Sequence, residues 1–372
     1  MVLMKRRLEE PSETETRISF VDSEGHLSYR GVSIHDLATN STYEETTCLL
    51  LYGRLPTKTQ LLDTRNKLAA RRRLPAGVVA LISSLPHFAA PMDVLRTAIS
   101  AMAMFDPSEK DNRIETLLER GIGQIAQATT IVTTHNHIRN SRLPIEPDPE
   151  MDHAENFLYM LKGREPEAWE TKALDLCLVL HADHGLNAST FAARVTTSAH
   201  ADMYAALTSA VGTLKGTIHG GANQKVMEML LEIKEDRMVN QYVEDAFRQG
   251  HKVPGFGHRI YKVEDPRVAY LRSVSRDACE RTGHGYLFDL SRRLEDAVRS
   301  EKGLLPNMDF YSATIYYALG FPVDTLTTVF ACSRMAGWVA HIIEQFQLDS
   351  LIRPMGDYVG PLNQPYVPVE DR

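Results

Sequence analysis

From residue 43 onward, apolar residues recur mostly at intervals of three or four, the spacing of helices with one buried face. A helix is predicted from Tyr43 to Tyr52, ending before Gly53, and further helices over 57–70, 91–104, 112–138, 152–162, 166–181, 188–215, 221–235, 265–301 and 322–346. Residues 17–30 instead indicate a hairpin with its turn at Asp22–Gly25. The pattern predicts an all-α protein with a small N-terminal β-hairpin.

Composition narrows the class of protein. The 372 residues include 43% apolar residues, enough for a large core and for two domains. A net charge of −7, with both signs mixed along the chain, gives no support to nucleic-acid binding. No run of about 18 apolar residues predicts a membrane span. The N-terminus lacks the apolar region of a secretory signal, and the dispersed cysteines favour a reduced, cytoplasmic protein: Cys48, Cys177, Cys279 and Cys332.

Three short segments, 215–223, 255–262 and 306–311, each place a proton-transferring side chain beside glycine or proline. These side chains are His219, His258 and Asp309. Glycine lets the backbone amides approach a ligand closely, and two histidines with a carboxylate are typical of divided acid–base catalysis. Taken singly, each segment has an ordinary interpretation: a turn histidine, a solvated cluster of charges, and an aspartate capping a helix from Tyr311 to Leu319.

Arg334 does not fit an ordinary apolar helix. It lies between Phe330 and Trp338 in the same row of residues spaced by four, so its guanidinium is predicted to point with the buried face. A buried charge needs an anion. Either an internal Asp or Glu supplies it, or a ligand does.

His181 and His184 end an apolar segment with a spacing of three, which would put both on one face of a helix. They are candidates for a metal pair, for hydrogen-bond donors to an anionic ligand, or for capping residues. A zinc site would need a third ligand and a water, so a metal-dependent hydrolase using His181, His184 and Asp309 is one alternative hypothesis.

The three segments together, in this order and spacing, resemble the citrate synthase family. The resemblance also includes residues 28–31, 50–56 and 91–98, and the dipeptides Glu344-Gln345 and Arg353-Pro354. It implies a two-domain helical fold with a large domain of residues 1–219 and 321–372 and a small domain of residues 220–320. It further implies a homodimer in which the small domain closes over the substrates.

The resemblance also implies a reaction, the condensation of acetyl-CoA with oxaloacetate and water to citrate and CoA. His219 would stabilise the enol of acetyl-CoA, Asp309 would remove the methyl proton, and His258 would polarise the ketone. The oxaloacetate contacts implied are His184, His258, Arg267, Arg334 and, from the partner subunit, Arg353. The CoA contacts implied are Lys262, Arg259, Gly255 and Gly257. No metal and no tightly bound cofactor is expected.

Some positions depart from the family pattern. The segment Ala90-Pro91-Met92 lacks a common histidine, and Met355 stands where a second arginine often follows Arg353-Pro354. Met308 replaces a common valine beside Asp309. A close alternative is therefore a 2-methylcitrate synthase that uses propionyl-CoA, and a third hypothesis is a catalytically silent homologue that serves as a scaffold.

Overall fold

The computed structural model describes residues 15–233 and 235–372. The N-terminal residues, in which no secretory signal was predicted, lie outside the described residues. A small antiparallel sheet opens this part of the chain, with strands β1 (Ser19–Val21), β2 (Leu27–Tyr29) and β3 (Val32–Ser33) in that order. Asp22 closes the β1–β2 turn by accepting the backbone N–H groups of Glu24 and His26. The predicted hairpin is thus confirmed and gains a third strand.

Sixteen α-helices follow in the described ranges. The first ten are α1 (Ile34–Asn40), α2 (Tyr43–Tyr52), α3 (Lys58–Ala70), α4 (Ala76–Ser84), α5 (Pro91–Met102), α6 (Ile114–Arg139), α7 (His153–Lys162), α8 (Ala168–His181), α9 (Ala188–Ser198) and α10 (Met203–Leu214). The last six are α11 (Ala222–Ile233), α12 (Val239–Arg248), α13 (Val268–Arg281), α14 (Gly285–Lys302), α15 (Met308–Ala318) and α16 (Leu326–Leu348). The all-α class is confirmed.

Two segments that were predicted as single helices each form two helices in the structure. The segment 188–215 is broken between α9 and α10, where His200 has a φ of +59° and Asp202 caps α10 by accepting the Ala205 N–H. The segment 265–301 is broken before α14, where Gly283 has a φ of +76°. Three helices were not predicted: α1, α4 and α12.

Helix α16 is the centre of the larger group of helices. It contacts α2, α5, α6, α8, α9 and α10, and every residue from Leu326 to Gln345 is buried. By length and composition alone, Val323–Leu348 is apolar enough to cross a membrane, but its whole apolar window is buried inside this protein. It is therefore the core helix of the fold, although the sequence pattern predicted no such stretch.

Helices α11 to α15 form a second group, in which α13 packs on α14 and α15, α11 on α15, and α12 on α14. Contacts of α11 and α15 with α16, and of α13 and α15 with α8, join this group to the first. The predicted division at residues 220 and 320 stays a prediction. The segments that contain His184, His219, His258 and Asp309 lie at or beside the ends of helices from both groups.

Candidate active site

The segments 255–258 and 306–309 are joined by a short antiparallel bridge. Asn307 donates its backbone N–H to the Gly255 carbonyl over 2.9 Å and its side-chain amide to the Gly257 carbonyl over 3.0 Å. Two of the sequence-predicted segments therefore form one paired structure, although about 50 residues separate them in the chain.

Gly255 cannot be replaced without strain in this pairing. Its φ is +82°, and a Cβ there would lie 2.7 Å from a methyl group of Val226 and 2.8 Å from the ring of Phe310. Both the left-handed backbone and the close approach require glycine.

His258 is held as one tautomer. Its Nδ1 accepts the backbone N–H groups of Ile260 and Tyr261, over 3.1 and 3.0 Å. An acceptor nitrogen is unprotonated, so the ring hydrogen of neutral His258 is on Nε2. Burial, reinforced by the positive charge of Arg267, lowers the pKa of His258 to about 4. At neutral pH the side chain is a neutral imidazole that can donate one hydrogen bond from Nε2.

His184 lies beside it, with its ring centroid 5.2 Å from that of His258. Its Nε2 is 3.0 Å from the hydroxyl of Tyr261. Helix α8 ends at His181, so His184 lies on the following loop, and the prediction that both histidines share a helix face is wrong. Burial, followed by the charge of Arg267, holds the pKa of His184 well below its usual value.

His181 is turned into the core. Its Nδ1 donates to the Cys177 carbonyl over 2.7 Å, and the hydroxyl of Tyr316 lies 3.1 Å from the same nitrogen. Burial lowers the pKa of His181 to about 3. Among the described residues, a group of three potential metal ligands lies within coordinating distance in one place only, the β1–β2 turn with Asp22, Glu24 and His26. The hydrolase hypothesis therefore has no support from the placement of its three residues.

His219 lies in the turn after α10, and its Nε2 contacts Ser189 twice. The backbone N–H of Ser189 donates to it over 3.1 Å, and the hydroxyl is 2.8 Å away. Ser189 is in the first turn of α9, so the N-terminus of α9 lies against this histidine. Neutral His219 therefore carries its hydrogen on Nδ1, the tautomer opposite to that of His258.

The protonation state of His219 agrees with that bonding. Burial and, second, the positive charge of Arg334 lower its pKa to about 4. At neutral pH it is an uncharged donor, which suits a group that meets negative charge developing on an oxygen.

Asp309 is the second residue of α15 and is partly buried. The cap of this helix is Asn307, whose side chain accepts the Asp309 N–H over 3.0 Å, so the capping interpretation of Asp309 is wrong. Burial raises the pKa of Asp309 to about 6, with Arg267 opposing that rise and Asp265 adding to it. A carboxylate of raised basicity is a suitable proton acceptor near neutral pH.

Arg334 is buried on α16, as its place in the apolar row predicted. Its Nε donates to the His181 carbonyl over 2.6 Å, and the guanidinium lies 4.7 Å from the ring centroid of Phe330. In the described ranges no carboxylate lies within ion-pair distance of Arg334, so the predicted internal partner is absent there. Its positive charge contributes to the lowered pKa values of His184 and His219 and opposes the rise in the pKa of Asp309.

Arg267 has a partner of its own. Its Nε and Nη2 bond both carboxylate oxygens of Asp265 over 2.8 and 2.7 Å, and both side chains are buried. Arg267 still acts electrostatically on His184, His258 and Asp309. It is thus at the site as predicted, but as half of an ion pair and not as a free cation.

Among the other predicted binding residues, Gly255 is buried, Gly257 is partly buried, and the three charged residues are exposed. Arg353 lies on the irregular C-terminal segment, and Arg259 and Lys262 lie beyond the 255–258 turn. Lys262 lines a pocket of about 500 Å³ together with Arg272, Arg292, Glu295 and Arg299.

Sequence reasoning missed three residues at the site. Tyr261 touches both His184 and His258, Ser189 fixes His219, and Trp338 donates its indole N–H to the Ser189 hydroxyl over 3.3 Å. Tyr261 lies inside the glycine-rich segment and could have been noticed. The contact of Ser189 with His219 joins residues 30 positions apart and left no signal in the sequence.

Comparison with known proteins agrees with this geometry. Residues 8–355 match the family model described as "Citrate synthase, C-terminal domain". The chain is 42% identical to a citrate synthase of Haloferax volcanii over 375 residues, covering 99% of each chain. It is also 38% identical to a protein named 2-methylcitrate synthase 1 of Corynebacterium glutamicum, covering 96% of this chain and 95% of that one.

A solved structure extends the likeness to the fold. The citrate synthase of Thermoplasma acidophilum, determined as a ternary complex with carboxymethyl coenzyme A and oxaloacetate, superposes with a TM-score of 0.92. It is 32% identical, and the match covers 99% of both chains. This chain belongs to the citrate synthase family.

Proposed function

We propose that this protein condenses acetyl-CoA with oxaloacetate and water to give citrate and CoA. The observation that supports this most strongly is the pair of neutral histidines with opposite tautomers near one carboxylate of raised pKa. His258 presents an Nε2–H, His219 presents an Nδ1–H, and Asp309 is an acceptor. Carbon–carbon bond formation between a thioester and a ketone requires these three roles.

In the first step, Asp309 takes a proton from the methyl group of the thioester. His219 donates a hydrogen bond from Nδ1 to the thioester oxygen, where the electron pair of the broken C–H bond collects. Neither action suffices at neutral pH because the methyl group is a very weak acid, so we propose that both act together.

In the second step, the enol carbon attacks the ketone carbon of oxaloacetate. His258 donates a hydrogen bond from Nε2 to the ketone oxygen. That oxygen gains one proton and becomes the hydroxyl of the product, which balances the proton that Asp309 took from the methyl group and releases when it returns to the carboxylate. Water then cleaves the thioester, placing an OH on the acyl carbon and the remaining proton on the sulfur of CoA. Each step uses side chains of this chain together with its substrates and water.

Oxaloacetate is a dianion, and the site contains cations to bind it. We propose that Arg334 and the Arg267–Asp265 pair contact its carboxylates together with His184, and that Arg353 of a second subunit completes the site.

Large apolar side chains along the C-terminal segment support a homodimer, since such a surface is unusual on a monomer. They are the exposed Leu351, Met355, Tyr358, Val359, Leu362 and Tyr366.

We propose that the pocket beside Lys262 binds the phosphates of the acyl-CoA. Two of its arginines, Arg272 and Arg292, are paired with Glu295. Lys262 and Arg299 have no carboxylate within ion-pair distance in the described part of the chain, so their charges are available to phosphate.

Four free, buried cysteines are in keeping with a cytoplasmic location: Cys48, Cys177, Cys279 and Cys332.

The decisive experiment compares kcat/KM for acetyl-CoA and propionyl-CoA with oxaloacetate by release of CoA thiol. We expect acetyl-CoA to be preferred. A strong preference for propionyl-CoA would assign the 2-methylcitrate reaction instead, for which the buried Met308 beside Asp309 would be the first residue to replace. No thiol release with either thioester would favour the scaffold hypothesis.

The phosphate site has its own test. Replacing both Lys262 and Arg299 by alanine should raise the KM for acyl-CoA roughly tenfold, as expected for the loss of charge-assisted bonds, with the KM for oxaloacetate unchanged. Arg276→Ala, on α13 outside the pocket, is the matched control. An equal effect of all three substitutions would reject this assignment.

A further inference from the structure

Helix α16 carries polar side chains along one face although all residues from Leu326 to Gln345 are buried. These residues are Arg334, Trp338, His341 and Gln345, with spacings of four, three and four. Such spacings place side chains on one face of a helix. We call this set the polar face of α16. Buried polar groups are expensive unless they are bonded, so the partners of each one matter.

Trp338 reaches the loop of His219 through Ser189. The indole N–H can only donate, and it donates to the Ser189 hydroxyl oxygen over 3.3 Å. The hydroxyl must therefore accept there and direct its own hydrogen elsewhere, toward His219 Nε2 or the Asn187 side chain, each 2.8 Å away. Trp338 thus fixes the hydroxyl that lies against the catalytic imidazole.

His341 reaches the loop of His184 through Asp183. The Nδ1 of His341 accepts from Arg194 over 3.1 Å, so its hydrogen lies on Nε2, 3.4 Å from the Asp183 carboxylate. The same carboxylate oxygen accepts the Ser19 hydroxyl at 2.5 Å and the Gly185 N–H at 3.2 Å. Asp183 and Gly185 flank His184, so these bonds fix the backbone on both sides of His184.

The far end of the polar face anchors this arrangement. Gln345 accepts the Nε–H of Arg194 over 3.0 Å, and the neighbouring Glu344 accepts from Nη1 of the same guanidinium at 2.5 Å. Arg194 is completely buried, and its bonds to α16 hold α9 in register with that helix. Since Ser189 lies in the first turn of α9, this register also sets its position.

The helix and the His184 loop are in direct contact at Gly337. A Cβ at this position would lie 2.3 Å from the Ala182 carbonyl oxygen and 2.4 Å from an Asp183 carboxylate oxygen. The backbone N–H of Gly337 donates to the Ala182 carbonyl over 3.1 Å. A displacement of α16 would therefore move the loop that carries His184.

We infer that the polar face of α16 positions both histidine loops separately, Trp338 through Ser189 for His219 and His341 through Asp183 for His184. Neither residue touches the reacting atoms in this arrangement, so both are positioning residues. The inference rests on the proposed function, because it assigns the two loops to different parts of that reaction.

The two links predict different kinetic losses. His219 acts on the thioester, so loosening Ser189 should lower kcat and make proton removal slower. His184 contacts oxaloacetate, so loosening Asp183 should raise the KM for oxaloacetate. A merely structural role for both residues would lower stability and affect the two kinetic constants alike.

For the first link, the test is Trp338→Phe, which removes the N–H and keeps an aromatic ring. We expect kcat to fall about three- to tenfold, the effect of one lost hydrogen bond, with the KM for oxaloacetate within twofold. The isotope effect on kcat with acetyl-CoA deuterated in its methyl group should increase. Trp169→Phe, at the other tryptophan of the chain, is the control and should change neither quantity.

For the second link, the test is His341→Met compared with His341→Gln, which keeps a donor toward Asp183. The Met variant should raise the KM for oxaloacetate about three- to tenfold without changing the isotope effect. The KM of the Gln variant should be close to that of the wild type. His135→Gln, at a buried histidine of α6, is the matched control. For the first link, if Trp338→Phe does not fold, the test uses Ser189→Ala instead, because this substitution also breaks the connection between Trp338 and His219.

The outcomes separate the two claims. Wild-type protein that releases no CoA thiol would refute the proposed function. Active wild-type protein whose Trp338 and His341 variants lose kcat and oxaloacetate affinity in equal proportion, or lose neither, would refute the positioning roles alone.

Discussion

Replacing Asp309 by asparagine should stabilise this protein at neutral pH while abolishing its activity. Burial raises the pKa of Asp309 from 3.8 to about 6. Each tenfold change in proton affinity corresponds to about 1.4 kcal/mol, so keeping this carboxylate ionised costs the folded protein about 3 kcal/mol at pH 7.5. Asparagine has nearly the same shape and no charge, so the variant avoids that cost.

The sign of the pH dependence follows from the direction of the pKa change. The folded state binds the Asp309 proton more tightly than the unfolded state does. The stability contributed by this group is therefore full below pH 4 and is lost as the pH rises from about 4 to about 6. The stability difference between Asp309→Asn and wild type should be largest above pH 7 and should fall to about 1 kcal/mol at pH 4.5.

The assay is thermal denaturation at equal protein concentrations, because unfolding of the proposed homodimer would depend on concentration. Asp265→Asn is a control of opposite sign. Burial alone would raise the pKa of Asp265, but Arg267 outweighs burial and lowers it. This variant leaves Arg267 unpaired and should lose about 3–5 kcal/mol at pH 7.5. If Asp309→Asn is less stable than wild type at pH 7.5, or its advantage is the same at pH 4.5, the assignment of a raised pKa is wrong.

Three further predictions follow from the same geometry. Because Asp309 must be ionised to accept a proton, kcat/KM should fall about tenfold per pH unit below pH 6, and a fall that begins only near pH 4 would contradict this. Gly255→Ala should cost about 2–4 kcal/mol in thermal stability, from left-handed strain and the clash with its neighbours. Gly250→Ala, also at positive φ but in open space, should cost less. Gly337→Ala should raise the KM for oxaloacetate by displacing Asp183, and an unchanged KM would show that the loop can adjust.

The parts of the site that the sequence predicted share one property. His219 and His258 are adjacent to a glycine, Asp309 follows Pro306 by three residues, and Arg334 breaks an apolar row at helical spacing. These signals are local, because they come from backbone conformation or from periodicity within a single helix. The pairing of segments 255–258 and 306–309 is a long-range contact, and periodicity does not reveal it.

The errors in the helix predictions have the same origin. The chain turns between α9 and α10 without glycine or proline, at a histidine with φ of +59° and an aspartate that caps the next helix. The apolar spacing continues across this turn, so the pattern predicted one helix. The ion pair of Arg267 was not predicted, for a different reason. Its partner Asp265 is two residues away, and the chain turns there so that both side chains meet in the core.

The protonation states of His219 and His258, the two proposed catalytic histidines, depend on contacts that are distributed very differently along the chain. His258 receives its two N–H groups from the residues that directly follow it, so its tautomer is a property of one segment. His219 depends on Ser189, which is positioned in turn by Trp338 and by the packing of α9 on α16. Substitution of a distant neighbour therefore affects the tautomer of His219 more than that of His258. Changes at Trp338, inside α16, should disturb the activation of the thioester by His219 and leave the polarisation of the ketone by His258 intact.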